Sequence, residues 1–154
     1  MTEKPLTKDA YQALLDRQRP RRSRPAHKES SIQQTCVQWF RLAHPDKYLL
    51  LDAVPNGGFR IAREAARLRA EGVVAGVADI LYLEPRGNYG CLAIEMKTPD
   101  KGSRQSAAQK QWQQAFEAVG NKYVVCRSLD DFRREIETYL AFEPLVEPRP
   151  EVEF

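Results

Sequence analysis

A chain of 154 residues, 42% of them hydrophobic, can bury one sizeable core and has no room for a second domain of ordinary size. No apolar run approaches the roughly 20 residues that cross a bilayer, and the amino terminus lacks the apolar segment of a secretory signal. The sequence therefore reads as that of a soluble, intracellular protein with no membrane partner. Cys36, Cys91 and Cys126, odd in number, far apart and set among apolar neighbours, read as reduced core thiols. With only His27 and His44 beside them a zinc finger has no ligand set, so any bound metal should be a hard cation held by oxygen.

The net charge of +3 is modest but unevenly spread. Arg17, Arg19, Arg21, Arg22, Arg24 and Lys28 form a basic run broken by Pro20 and Pro25, whereas the last residues carry Glu143, Glu147, Glu151 and Glu153 against Arg149. The basic run suits contact with phosphates, and a solvated leader without a nucleic-acid partner is the alternative. Apart from a short helical stretch around Tyr11, Leu14 and Leu15, residues 1–27 lack apolar periodicity and read as a flexible basic leader. Residues 28–141 carry the ordered domain, and 142–154 form a loose acidic tail.

Within the domain, Ile32, Cys36, Trp39 or Phe40, and Ala43 recur at three- and four-residue steps and predict an amphipathic helix from Glu29 to Ala43, with Ser30 or Ser31 as its N-cap. Glu29 at its start either complements the helix dipole or reaches into a cleft. Tyr48-Leu49-Leu50-Leu51 predicts a short strand before the turn Pro55-Asn56-Gly57-Gly58, where Asn56 and Arg60 either face a phosphate or simply serve the turn. A helix from Arg60 to Ala70 follows and stops at Gly72. Its Arg63, Arg67 and Arg69 offer a phosphate-contacting face or a solvated one.

The centre of the chain runs from Gly76 to Lys97. Two apolar runs, broken by Pro85-Arg86-Gly87-Asn88, predict adjacent antiparallel strands. One acid interrupts each: Asp79 in the first and Glu95 in the second. Side chains alternate along a strand, so Glu95 and Lys97 share a face and Met96 takes the other. If the strands pair, Asp79 lies beside them. Two carboxylates able to share a divalent cation, with an ammonium alongside, are the minimum set for activating water against a phosphodiester. The plainer alternative is a Glu95–Lys97 ion pair at a strand end.

A long helix is expected from Ser103 to Val119, with Ala108, Trp112, Ala115, Phe116 and Val119 as its apolar stripe and Gln105 and Gln109 one turn apart. Its first turns should return beside Glu95, placing Gln109 to orient a water or a phosphate. Gly120 ends it, Tyr123-Val124-Val125-Cys126 forms another strand, and Leu129, Phe132, Ile136 and Leu140 mark a last helix capped by Ser128. The order helix, strand, helix, strand, strand, helix, strand, helix argues an α/β domain in which helices flank a mixed β-sheet.

This order, with an acid on one strand, Glu-x-Lys on the next and a glutamine-bearing helix after it, resembles the PD-(D/E)xK nuclease superfamily, most closely its stand-alone VRR-NUC domains of phage and bacterial type. The residues carrying the resemblance are Glu29, Pro55 through Arg60, Gly72, Gly76-Val77-Ala78-Asp79, Ile94-Glu95-Met96-Lys97, Ser106 with Gln109, and Gly120. It implies a restriction-endonuclease-like core and a metal-dependent DNA endonuclease. Asp79 and Glu95 would bind Mg2+ or Mn2+ together with the carbonyl of Met96. Lys97 would position or activate the attacking water, Gln109 would support the site, and Glu29 would hold metal directly or through water. Asn56, Arg60, Arg63, Arg67 and the leader residues Arg21, Arg22 and Arg24 are the candidate DNA contacts. One position departs from the pattern: Ala78 stands where the family usually has proline, which contributes no ligand. Small stand-alone relatives act on branched DNA, which implies a four-way junction resolvase working as a homodimer in the cytoplasm of a bacterial or phage-infected cell. A flap or single-strand nuclease of the same fold, or a catalytically silent DNA-binding module, are the alternatives.

Overall fold

The computed structural model describes residues 25–55 and 62–145. Helix α1 spans Pro25–Ala43 and starts a turn before the apolar periodicity does. Proline suits a first helical position, where its fixed φ is already helical and its missing N–H is not needed. Ser30 and Ser31, expected as N-caps, therefore lie inside the helix: Ser30 Oγ accepts from Gln34 Nε2 at 3.2 Å and the Ser31 carbonyl from Thr35 Oγ1 at 3.0 Å. Tyr48–Leu50, expected as a strand, is a 3-10 turn, and strand β1 is Leu51–Ala53. The apolar run misleads because it does not face the core, Leu49 being 79% exposed.

Helix α2, Ala62–Ala70, ends at the expected glycine. Gly72 at φ 98° donates to Arg69 O while Val73 N reaches Leu68 O, the paired bonds of a Schellman turn. Strands β2, Ile80–Tyr82, and β3, Leu92–Met96, pair antiparallel as expected, with Ile80 opposite Ile94. Between them Arg86 and Tyr89 exchange backbone bonds around Gly87 at φ 57°. Helix α3 is Ala107–Ala118 and starts later than Ser103. Ser106 and Gln109 close a capping box that fixes the start, each side chain bonding the other's backbone N–H. Its stripe is narrower than expected. Trp112 and Phe116 stack on each other, with Trp112 tilted against Tyr123, while Ala115 and Val119 face solvent. Strand β4, Lys122–Cys126, and helix α4, Leu129–Leu140, are the last elements among the described residues, and Ser128 Oγ caps α4 by accepting from Asp131 N at 3.1 Å.

The sheet order is β1-β2-β3-β4, antiparallel except for the parallel β3–β4 pair. A parallel neighbour requires a crossover, and α3 provides it. The sheet's two faces differ in kind. Against α1 and α4, Cys36, Phe40, Tyr82, Leu92, Ile94, Met96, Phe132, Ile136 and Tyr139 form a dry core. Against α3 the apolar cluster is small, Ala78, Ala93 and Tyr123 with Leu81, Trp112 and Phe116 around them, and the rest of that face is polar. All three cysteines are free. Burial pushes the Cys36 thiol up to about 11 and Cys126 to about 12, while Cys91 is only half-buried. The first residues of the acidic tail are held: Gly87 N donates to Glu143 O and Leu145 N to Pro85 O.

Candidate active site

The β2–β3 register brings the two acids together. Ile80 faces Ile94, so the next step along the pair sets Asp79 across from Glu95. Asp79 Oδ2 accepts from Met96 N at 2.8 Å, which clamps the first acid onto the strand carrying the second. Because Ile94 and Met96 belong to the dry core, alternation sends Glu95 and Lys97 to the α3 face.

Glu95 is fully buried and is held by three side chains. Lys97 Nζ lies 2.6 Å from Oε1 and is itself only 7% exposed. Gln109 Nε2 donates to the same oxygen. Tyr123 OH donates to Oε2 at 3.3 Å and in turn accepts from Gln105 Nε2 at 3.1 Å. The Gln109 amide bridges two roles, since its oxygen accepts from Ser106 N in the capping box. Gln105 lies just before the cap, outside the helix that carries Gln109, and reaches Glu95 only through Tyr123, whereas Gln109 bonds it directly.

One ammonium among two carboxylates leaves negative charge uncompensated in a site largely closed to water. Burial pushes Glu95 up to about 7, against the hydrogen bond from Lys97, and the nearby Asp79 charge adds to the rise. Asp79 is also raised, first by burial and further by Glu29; the Met96 N–H and the Lys97 charge oppose this. Such a pair gains from a hard cation, and carboxylate, carbonyl and water oxygens are the donors Mg2+ and Mn2+ prefer. Among the described residues no three acidic, histidine or cysteine side chains cluster closely enough to hold an ion alone. A bound cation would thus take part of its shell from backbone or solvent oxygen.

Glu29 stands at the margin, half-buried, with Oε1 accepting from Ser103 Oγ at 3.0 Å. Ser103 belongs to the loop between β3 and α3, and Arg127 grips that loop from the other side, its guanidinium donating to Thr98 O at 2.6 Å and Ser103 O at 2.9 Å. Neither Arg127 nor Tyr123 carried a sequence signal beyond its place in or beside a strand. Their roles arise from the parallel β3–β4 register, which sets Glu95 beside Val125 and Met96 beside Cys126. Of the candidate DNA contacts, Arg67 is bound on its own helix by Glu64 at 2.8 Å and Glu71 at 2.5 Å. Arg63 lies on α2, and Asn56, Arg60, Arg21, Arg22 and Arg24 lie outside the described residues.

A sheet that places Asp and Glu-x-Lys on the face met by the Gln of α3 is the arrangement expected from the motif order. The family profile of the VRR-NUC domain matches residues 11–130. The chain belongs to the VRR-NUC family. A solved structure of a VRR_NUC domain protein is similar over 76% of this chain and 91% of that one, at 25% identity and a TM-score of 0.66. No curated protein matches the chain. VRR-NUC membership makes this a nuclease-type domain on a restriction-endonuclease-like α/β core, with DNA as the polymer bound. Nucleases of the VRR-NUC family are generally metal-dependent. Among the described residues no helix is long and apolar enough to cross a membrane.

Proposed function

We propose that this VRR-NUC protein is a Mg2+- or Mn2+-dependent endodeoxyribonuclease that cuts branched DNA, with the four-way junction as its substrate and a homodimer as its working form. The observation that carries the reading is one buried site assembled from three elements: Lys97 and Gln109 both bond the Glu95 carboxylate, and Asp79 is clamped beside it on Met96 N. Asp79, Glu95 and the Met96 carbonyl would hold the ion, with Glu29 reaching it directly or through water. Bound there, an ion would supply charge stabilisation at the phosphate and lower the pKa of water.

The chain's own groups do the rest. Lys97, on the same face as Glu95, is placed to give up its contact with Oε1 and meet the charge that grows on the phosphate during attack. Gln109 orients Glu95 from the first turn of α3, and the capping box fixes Gln109 in turn. Asn56, Arg60, Arg63, Arg67 and the basic residues Arg21, Arg22 and Arg24 would bind phosphates without reading base sequence, so recognition rests on charge and DNA shape. A four-way junction is two-fold symmetric and needs paired nicks, which two copies related by a two-fold axis deliver.

The test is cleavage of a labelled four-way junction, a flap and a linear duplex by the parent and by Lys97→Ala, with Mg2+, with Mn2+ and with chelator. Symmetric junction nicks that need metal and vanish in the variant are expected. Cutting that ignores branching would discard the resolvase, and tight binding without cutting under either metal would leave a silent DNA-binding module.

A further inference from the structure

Beside the carboxylates, α2 and the segment after it stand off from the first turn of α3 and leave a groove of about 290 Å³. Ala65 and Leu68 of α2 form one wall, Val73 and Val74 another, and Ser106 and Gln109 close the end nearest Glu95. Gly76 sets its depth. At φ 85° it lies so close to α3 that a Cβ would collide with the Ala108 carbonyl. Val73 and Val74 are 45% and 55% exposed, two adjacent apolar side chains beside a polar site. Arg69 stands on the rim. Among the described residues it enters no ion pair, whereas Arg67 on the same helix is held by two glutamates.

We propose that this groove receives one unpaired nucleotide flanking the cleaved phosphodiester, with Arg69 on its phosphate and Leu68, Val73 and Val74 against its sugar and base. The inference rests on the nuclease reading of the Glu95 site. Continuity supports it, because Gln109 both donates to Glu95 and lines the groove, so an occupant is the neighbour of whatever is bound at Glu95. Charge supports it, because the rim supplies the cation that a flanking phosphate needs. Size sets the class of occupant. The volume sits just below the roughly 300–1,000 Å³ of small-molecule sites, enough for a single nucleoside and too small for a stacked base pair. A base enters only after leaving the stack, which is least costly where pairing is already broken. The groove therefore selects DNA that is unpaired at or beside the cut.

The experiment places the fluorescent base 2-aminopurine at successive positions flanking the cut in a branched oligonucleotide. The full-length protein is bound to it with Ca2+ in place of the catalytic metal, and affinity is followed against salt. The parent should brighten the probe at one position, as a base leaving its stack does. Val74→Asp should abolish the brightening. Arg69→Gln should weaken binding about tenfold and lower the salt slope by about one, which Arg134→Gln, on the exposed face of α4, should not reproduce. Thermal melts check that these surface variants fold. No brightening at any position, or Arg69→Gln and Val74→Asp matching Arg134→Gln, would overturn the groove. A parent that cuts DNA normally while the groove stays silent sinks this inference alone; a parent that cuts nothing with any metal sinks the nuclease reading beneath it.

Discussion

At the turn end of the β2–β3 hairpin one carboxylate sits among two cations, and at the other end one cation sits among two carboxylates. Glu84 meets Arg86 at 2.8 Å and Lys47 at 3.4 Å, and accepts from Tyr82 OH as well. Arg86 goes on to donate to Leu140 O at 2.7 Å and Phe142 O at 2.9 Å, tying the turn to the end of α4. Burial alone would raise Glu84, but the hydrogen bonds from Arg86 and Tyr82, with the Arg86 and Lys47 charges, hold it below the usual carboxylate range. Glu95 moves the other way, to about 7. Both ends bury polar groups, and at the turn end only Arg86 Nε lacks a partner among the described residues. There Asp46, 3.7 Å from Lys47, brings the count to two carboxylates and two cations, whereas the Glu95 end keeps one negative charge in excess. The balanced end locks the fold, and the unbalanced end leaves a demand that an incoming cation can meet.

Neutralising each end in turn should separate these roles with the largest effects. Glu95→Gln keeps the side-chain shape and removes one of the two mutually repelling carboxylate charges. Its cleavage rate should fall about 10³-fold, the scale of losing a main electrostatic group, while the melting temperature of the metal-free protein stays level or rises. Arg86→Met, which strands a mostly buried Glu84 and two helix-end carbonyls, should lower stability by about 3–5 kcal/mol and leave the rate per folded molecule unchanged. Denaturant unfolding and single-turnover cleavage on both variants check this. A Glu95→Gln protein as unstable as Arg86→Met would erase the distinction between the ends.

A smaller effect comes from pH, and its sign differs between the ends. The folded-state pKa of Glu95 lies above the unfolded value of about 4.3. Between about 4.3 and 7 the folded protein keeps a proton that the unfolded chain has released, so stability falls as pH rises through that window. Asp79 is shifted the same way. Glu84 contributes stability that is complete above its unfolded pKa and is lost as pH falls through its lowered folded value. In chelator, melting temperature should decline from pH 5 to pH 7 by an amount that Glu95→Gln removes, and Glu84→Gln should remove part of the loss at acid pH. Saturating Mg2+ should flatten the first decline, since a bound cation favours the ionised pair.

The two ends were unequally legible in the sequence. Asp79, Glu95, Lys97 and Gln109 follow a motif order, and strand alternation with antiparallel pairing sufficed to put three of them together. The Glu84 cluster had no such pattern. It depends on Lys47 and on the carbonyls of Leu140 and Phe142, brought in by tertiary packing over long sequence distances. Element boundaries failed where local chemistry outweighed periodicity: Pro25 extended α1, the Ser106 box delayed α3, and the exposed Tyr48–Leu50 run formed a 3-10 turn although its composition resembles a strand. Helix ends set by glycine or a serine cap, at Gly72, Gly120 and Ser128, could be read directly because those residues act through their own backbone.

The finest test of the comparison removes a single hydrogen bond. Tyr123 OH reaches Glu95 Oε2 at 3.3 Å, while Gln105 Nε2 donates to both Tyr123 OH and Gln113 Oε1, the latter at 2.9 Å. If this relay serves the ionised form of Glu95, Tyr123→Phe should cost about 1 kcal/mol of stability and shift the acid limb of the pH profile of kcat/KM upward, because the lost donor favoured the charged carboxylate. A purely packing role predicts neither the stability loss nor a moved acid limb, since the phenyl ring still fills the space beside Trp112. The turn end supplies the control. Tyr82→Phe removes a hydrogen bond of the same type from Glu84, where two cations remain to hold the charge, so it should cost similar stability and leave the cleavage profile where it was.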